Sequence, residues 1–217
     1  MRYKTIYADP PWMEHGGGKI QRGADRHYPL METKDIMALP VRELADPEGC
    51  HLYLWTTNNF LLDALEVVRA WGFQYVTMIT WMKDRQGLGQ YYRGLTEHCI
   101  FARTKKKLPY KLQDGKRMQG VTGFCAPKGR HSEKPEEMRS MIERVSYGPR
   151  LELFAREAHD GWDVWGNEVD GIEIDRICAT CEWYADDVGV CVNGKSPNRA
   201  DFVSRDDGCA CWEAAEE

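Results

Sequence analysis

Apolar positions along the chain alternate between short continuous runs and helix-spaced stripes, which predicts strands and helices in turn. Thr5-Ile6-Tyr7-Ala8 reads as a first strand, and residues 51–56 as a second. Thr33 is expected to cap a short helix, with Asp35 in its first turn and Pro40 beyond its end. Asn58 is expected to cap the clearest helix, with Leu61, Leu62, Leu65, Val68 and Ala70 along it and Gly72 as its stop. Further strands fall near 73–82, 96–102 and Leu151–Ala155. Pro135 suits the first turn of a helix reaching about Val145, with Met138, Met141 and Ile142 as its buried stripe. This alternation predicts an α/β fold, a mostly parallel, Rossmann-like sheet with helices on both faces. Gly16-Gly17-Gly18 and residues 84–94 read as mobile loops flanking one edge of it.

Composition narrows the class. The 217 residues, 42% of them hydrophobic, suffice for one full α/β domain and a small appendage. No apolar stretch is long enough to span a membrane, and Met1-Arg2-Tyr3-Lys4 enters the first strand without a signal-peptide core, so the expectation is a cytoplasmic protein. A net charge of −5 argues against a surface that grips phosphate everywhere. Any nucleic-acid contact must therefore be local. Arg103, Lys105, Lys106, Lys107, Lys111, Lys116 and Arg117 crowd one segment, which is either a solvated loop or a backbone clamp.

Chemistry concentrates just past the first strand. Asp9-Pro10-Pro11-Trp12 puts a carboxylate, two rigid prolines and an aromatic plane where open α/β sheets hold their ligands. Asp9 and the Pro10 carbonyl can accept hydrogen bonds from an exocyclic amine, and Trp12 offers a stacking face for a splayed base. The competing reading is a strand followed by a proline-rich turn.

The tetrapeptide does not stand alone. His27-Tyr28-Pro29-Leu30-Met31, Leu52-Tyr53-Leu54-Trp55-Thr56-Thr57-Asn58, Trp81-Met82-Lys83, Gly87-Leu88-Gly89-Gln90-Tyr91-Tyr92-Arg93 and Glu97-His98 follow it. Arg130-His131-Ser132-Glu133-Lys134-Pro135, Leu151-Glu152-Leu153-Phe154-Ala155-Arg156 and Gly161-Trp162-Asp163-Val164-Trp165-Gly166-Asn167-Glu168 close the series. In this order the chain resembles the MT-A70 family of S-adenosylmethionine-dependent adenine-N6 methyltransferases, from its first residues to about 171. The resemblance implies a Rossmann-like methyltransferase sheet, with the catalytic tetrapeptide early and the cofactor strand late. It also implies direct methyl transfer, with Asp9, Pro10, Pro11 and Trp12 addressing the target amine. The acceptor is nucleic acid, DNA rather than RNA on the ground of a compact catalytic domain without an added RNA-binding module, and the protein is expected to be a monomer or homodimer. The same chemistry on RNA and a catalytically silent nucleic-acid-binding subunit are the other readings open to the family. In that setting Lys105, Lys106 and Lys107 become candidate backbone contacts near the site.

No Gly-x-Gly-x-x-Gly loop is present, which suits a cofactor without phosphate to cradle. Lys134 can meet the methionine carboxylate of S-adenosylmethionine, beside Asp9, while Arg156 and His159 are candidates for the ribose or adenine edge. Asn167 and Glu168 can accept the ribose hydroxyls. Taken singly, each is equally a surface lysine, a loop histidine or a turn.

Cysteines mark a second unit. Five of the eight lie between Cys178 and Cys211. Cys178, Cys181, Cys191 and Cys209 could supply four thiolates to a structural zinc, which would stabilise a segment too short to bury much core. Disulfides are the rival reading. The expected boundaries are a methyltransferase domain over 1–171 and a Cys-rich, metal-binding module over 172–217.

Overall fold

Residues Thr5–Ala8 form β1, and all four are buried, which requires neighbours on both edges and both faces. Those neighbours are β2 (His51–Thr56) and β8 (Arg150–Leu153), both parallel to β1, with Ile6 opposite Leu52 on one side and Leu151 on the other. Outward from β2 come β4 (Thr96–Arg103), β3 (Gln74–Lys83) and β7 (Gly123–Ala126), and outward from β8 comes β9 (Asp163–Trp165). Of these seven strands, only β4 runs against the rest. The carboxyl ends of the other six therefore share an edge with the amino end of β4. A small hairpin, β5 (Leu112–Gln113) and β6 (Lys116–Arg117), stands apart from the sheet.

Alternation along the strands sorts the two faces. Tyr7, Tyr53, Trp55, Trp81 and Cys99 point to one side and pack with Met138, Met141 and Ile142 of helix α4 (Glu136–Val145). Ile6, Leu52, Leu54, Ile100 and Leu151 point to the other and are fully buried. There α3 (Leu61–Ala70) lies across β2 and β3, with α1 (Thr33–Met37) against it. The sheet is thus mostly parallel and covered on both faces, as its sequence pattern predicts.

Several local expectations are corrected. Thr33 is the first residue of α1 rather than its cap, because its hydroxyl donates to Asp63 Oδ1 at 2.9 Å and ties α1 to α3. Pro40 lies beyond the end of α1, as expected, and also leads into another short helix, α2 (Val41–Leu44). Asn58 caps nothing: its amide spans from β2 to β4, and α3 starts after Phe60. Leu62 is 75% exposed, and the buried stripe of α3 is Ala64, Val67 and Val68. Gly72 does end that helix, at φ +77°. Strand β8 stops at Leu153, two residues early, because Phe154 turns out at φ 63°.

The structure is a computed structural model that describes residues 2–13, 30–87, 91–129, 133–166, 184–185 and 190–191. The chain divides into two compact units, Met1–Gly171 and Ile172–Glu217. In the second, β10 (Tyr184–Ala185) pairs antiparallel with β11 (Val190–Cys191), setting Tyr184 opposite Cys191. No helix of the described residues is long and apolar enough to cross a membrane.

Candidate active site

Four charges of alternating sign line the shared strand edge. Asp9 follows β1, Glu97 sits at the start of β4, Lys83 ends β3, and Lys134 stands just before α4. The Lys134 ammonium lies 2.6 Å from Asp9 Oδ2 and 3.6 Å from Glu97 Oε2. Lys83 closes the series on the other oxygen of Glu97. Each cation also rides on a tryptophan, Lys134 at 5.5 Å from the Trp55 ring and Lys83 at 5.1 Å from that of Trp81. Both rings are pinned through their indole N–H groups, Trp55 to the Tyr7 hydroxyl at 2.6 Å and Trp81 to the Ala126 carbonyl at 2.9 Å. The result is a rigid aromatic floor beneath a charge-neutral row.

The two carboxylates feel this row differently. Burial pushes the Asp9 carboxyl above its ordinary range, while Lys134 pulls it back. A quarter of the Asp9 side chain (26%) stays open to solvent, which limits the rise. Burial raises Glu97 too, but Lys134 and Lys83 together outweigh it and hold its carboxyl low. Glu97 is the residue that sequence reasoning left without a role. A carboxylate at the head of the apolar run Cys99-Ile100-Phe101-Ala102 was the available signal.

The remainder of the tetrapeptide is built into the fold. Pro10 is buried, and its carbonyl accepts the Trp12 amide at 2.9 Å, leaving one lone pair for a ligand. The Pro11 carbonyl accepts from Met31 at 2.9 Å, which fixes the far side of the turn. Trp12 is only 6% exposed; its indole donates to the Trp55 carbonyl at 3.0 Å and its ring stacks on Phe60. Nearby, His98 accepts from Thr80 and donates from Nε2 to Asn58 Oδ1 at 2.9 Å, anchoring the loop after β2. A neutral ring protonated on Nε2 satisfies both bonds, and burial keeps it neutral by lowering its pKa.

Cofactor candidates gather at the same edge. Arg156 follows β8 and stands close enough to help hold the Asp9 carboxyl down. His159 is partly buried, 3.7 Å from Glu157; burial pushes the Glu152 carboxyl up, and Arg139 and, more weakly, His159 pull it back. The loops after β8 and β9 meet so closely that a Cβ on Gly166 would fall 2.1 Å from the Ala155 carbonyl oxygen. Thr57 Oγ1, past the end of β2, is buried without a hydrogen-bond partner among the described residues. Cations, a carboxylate and an unsatisfied hydroxyl fit the carboxylate, ammonium and diol of S-adenosylmethionine in kind. Asn167 and Glu168 lie outside the described residues.

Lys105, Lys106 and Lys107 are not brought to the site. Because β4 is antiparallel, its end carries them to the opposite edge of the sheet, where Lys106 pairs with Glu48 at 2.5 Å. Between His98 and Arg103 the strand covers roughly 17 Å at about 3.4 Å per residue. The sequence expectation of a basic loop beside the site is therefore corrected. Among the described residues no group of three or more His, Cys, Asp or Glu could hold a metal. Cys178, Cys181 and Cys209 and the side chain of Cys191 lie outside them.

The MT-A70 family profile matches residues 3–168, spanning every strand of the sheet. The chain belongs to the MT-A70 family. It is an adenine-N6 methyltransferase, with S-adenosylmethionine as the methyl source of the MT-A70 fold. The type II methyltransferase M.MunI of a Mycoplasma species is 29% identical over 196 residues, covering 80% of this chain and 81% of that protein. The MT-A70-like N(6)-adenosine-methyltransferase of Drosophila melanogaster is 28% identical over 92% of this chain but only 32% of its own length. The human N(6)-adenosine-methyltransferase catalytic subunit METTL3 is 28% identical over 80% of the chain and 29% of its length. This MT-A70 chain thus spans most of the first relative and about a third of the others.

Proposed function

We propose that this enzyme methylates adenine N6 in DNA, with Asp9 addressing the amine and Lys134 positioning Asp9. The observation that carries the reading is the 2.6 Å contact between Lys134 Nζ and Asp9 Oδ2 at the carboxyl end of β1. DNA is favoured because the match to the type II methyltransferase runs over 81% of that protein, whereas the N(6)-adenosine-methyltransferases are matched over about a third.

The adenine amine is a poor nucleophile because its lone pair is delocalised into the ring. Asp9 and the free lone pair of the Pro10 carbonyl accept its two N–H bonds, localising that lone pair and aiming it outward. Bound S-adenosylmethionine supplies an electrophilic methyl group on a sulfonium. Positive charge developing on the amine is stabilised by the Asp9 carboxylate, and the proton then leaves to water. Lys134 and Arg156 hold the cofactor's carboxylate end and edge, with His159, Asn167 and Glu168 completing that pocket. Trp12 walls the base site together with Pro11. Residues 172–217 form a separate module held by zinc through Cys178, Cys181, Cys191 and Cys209. The β10–β11 register is compatible with this, since it sets Cys191 opposite Tyr184.

Labelled-methyl transfer to single-stranded DNA, duplex DNA and RNA in parallel, followed by nucleoside analysis, tests the reading. N6-methyldeoxyadenosine is the expected product. Label only in RNA would overturn the DNA assignment, and label on cytosine would overturn the base.

A further inference from the structure

The loop joining β3 to β4 carries two tyrosines that the catalytic account leaves unused. Tyr91 and Tyr92 are 94% and 92% exposed, the two most exposed of the large hydrophobic side chains described. Large aromatic rings held almost wholly in water mark an interaction site more often than an accident.

Their mounting is firm. At the neck of the loop the Lys83 amide donates to the Leu95 carbonyl at 2.8 Å and the Gly87 amide to the Gly94 carbonyl at 2.7 Å. The Arg93 Nε–H donates to the Gly87 carbonyl at 2.6 Å, and the Lys128 amide donates to Asp84 at 2.8 Å. These bonds tie the loop's base both to itself and to the segment after β7. The loop also springs from the carboxyl end of β3 and returns to the amino end of β4. It therefore rises from the same edge as Asp9, Glu97 and Lys134.

Charge selects the partner. Arg85 is 84% exposed, its Nε 3.4 Å from Asp84 Oδ2, and Arg93 is exposed with no contact for its terminal amino groups among the described residues. Exposed aromatic planes interleaved with arginines are the chemistry of a single-stranded nucleic acid platform, rings for bases and guanidinium groups for phosphates. An apolar protein partner would want the rings without the cations.

We infer that Tyr91 and Tyr92 stack on unpaired nucleotides flanking the target adenine, with Arg85 and Arg93 on the adjoining phosphates. The inference rests on the proposed nucleic-acid substrate and adds to it a strand-separated flank. The platform lies outside the amine site, so it sets acceptor affinity and leaves the transfer step alone.

The test uses the full-length enzyme and oligodeoxynucleotides with 2-aminopurine at positions next to the target adenine. Wild type should quench the probe; Tyr91→Ala and Tyr92→Ala should each lose quenching and raise KM roughly tenfold, with kcat held. Tyr91→Phe and Tyr92→Phe, which keep the ring, should behave as wild type. Tyr110→Ala, removing an exposed tyrosine away from this loop, should change nothing. Unchanged KM and quenching in both alanine variants would overturn the platform while leaving the methyltransferase reading intact. The same holds if those variants only convert a dimer to a monomer in sedimentation. Absence of methyl transfer by wild type to any acceptor would instead defeat the parent reading.

Discussion

Lys134 and Asp9 stand 125 residues apart in sequence and 2.6 Å apart in space. The same ammonium reaches Glu97 at 3.6 Å, so one cation on a tryptophan face serves two carboxylates with opposite displacements in acidity. Asp9 is left as the more readily protonated of the two, and its charge is what the amine needs.

Glu97→Gln should therefore move the acid limb of kcat/KM to lower pH. The negative charge of Glu97 is one of the influences raising the Asp9 carboxyl, so its removal lets Asp9 stay ionised further into acid. A pH–rate profile under saturating cofactor reads this. A limb moving to higher pH would remove Asp9 as the group that sets it.

Arg139 on α4 and Glu152 on β8 form a second, structural pair, 2.9 Å apart and 12% and 14% exposed. Arg139→Met should cost about 3 kcal/mol, because it strands a buried carboxylate. Adding Glu152→Gln should recover most of the loss. Urea unfolding of the three variants checks both statements, and an additive double variant would contradict the pairing.

His51 is half-buried at the start of β2, with Nδ1 2.7 Å from Ser146 Oγ, and the burial lowers its pKa from 6.5 to about 4. Between those values the unfolded chain binds the proton and the folded one does not, so stability falls as pH drops from 6.5 toward 4. The loss is roughly 3 kcal/mol at most. His51→Gln should flatten the dependence of the urea midpoint over that window; a slope equal to wild type would assign it elsewhere.

Much of this site was legible in the chain. Asp9 announced itself by following a short, mostly apolar strand and preceding two prolines, and Lys134 by preceding the proline that leads into an amphipathic helix. Strand positions emerged because β1, β2 and β4 are buried on both faces and so read as continuous apolar runs. Strand direction did not. Nothing local in Thr96–Arg103 says that it runs against its neighbours, and that reversal sends Lys105–Lys107 away from the site. Asn58 and Thr33 looked like caps because their side chains suit caps; long-range partners, His98 and Asp63, claimed them instead.

Metal content of the purified chain tests the Cys-rich module. About one zinc per chain is expected, lost in Cys181→Ser, while a chain cut after Gly171 should keep its cofactor affinity. Metal-free protein with Cys178 and Cys181 in disulfides would contradict the module.

The most direct test of the account compares wild type with Asp9→Asn in single-turnover methyl transfer to an adenine-containing oligonucleotide, with cofactor affinity measured by calorimetry on the same samples. The substitution preserves shape and removes the charge. Transfer should fall by about a hundredfold or more while cofactor affinity stays within about tenfold. Near-wild-type transfer by Asp9→Asn would contradict it.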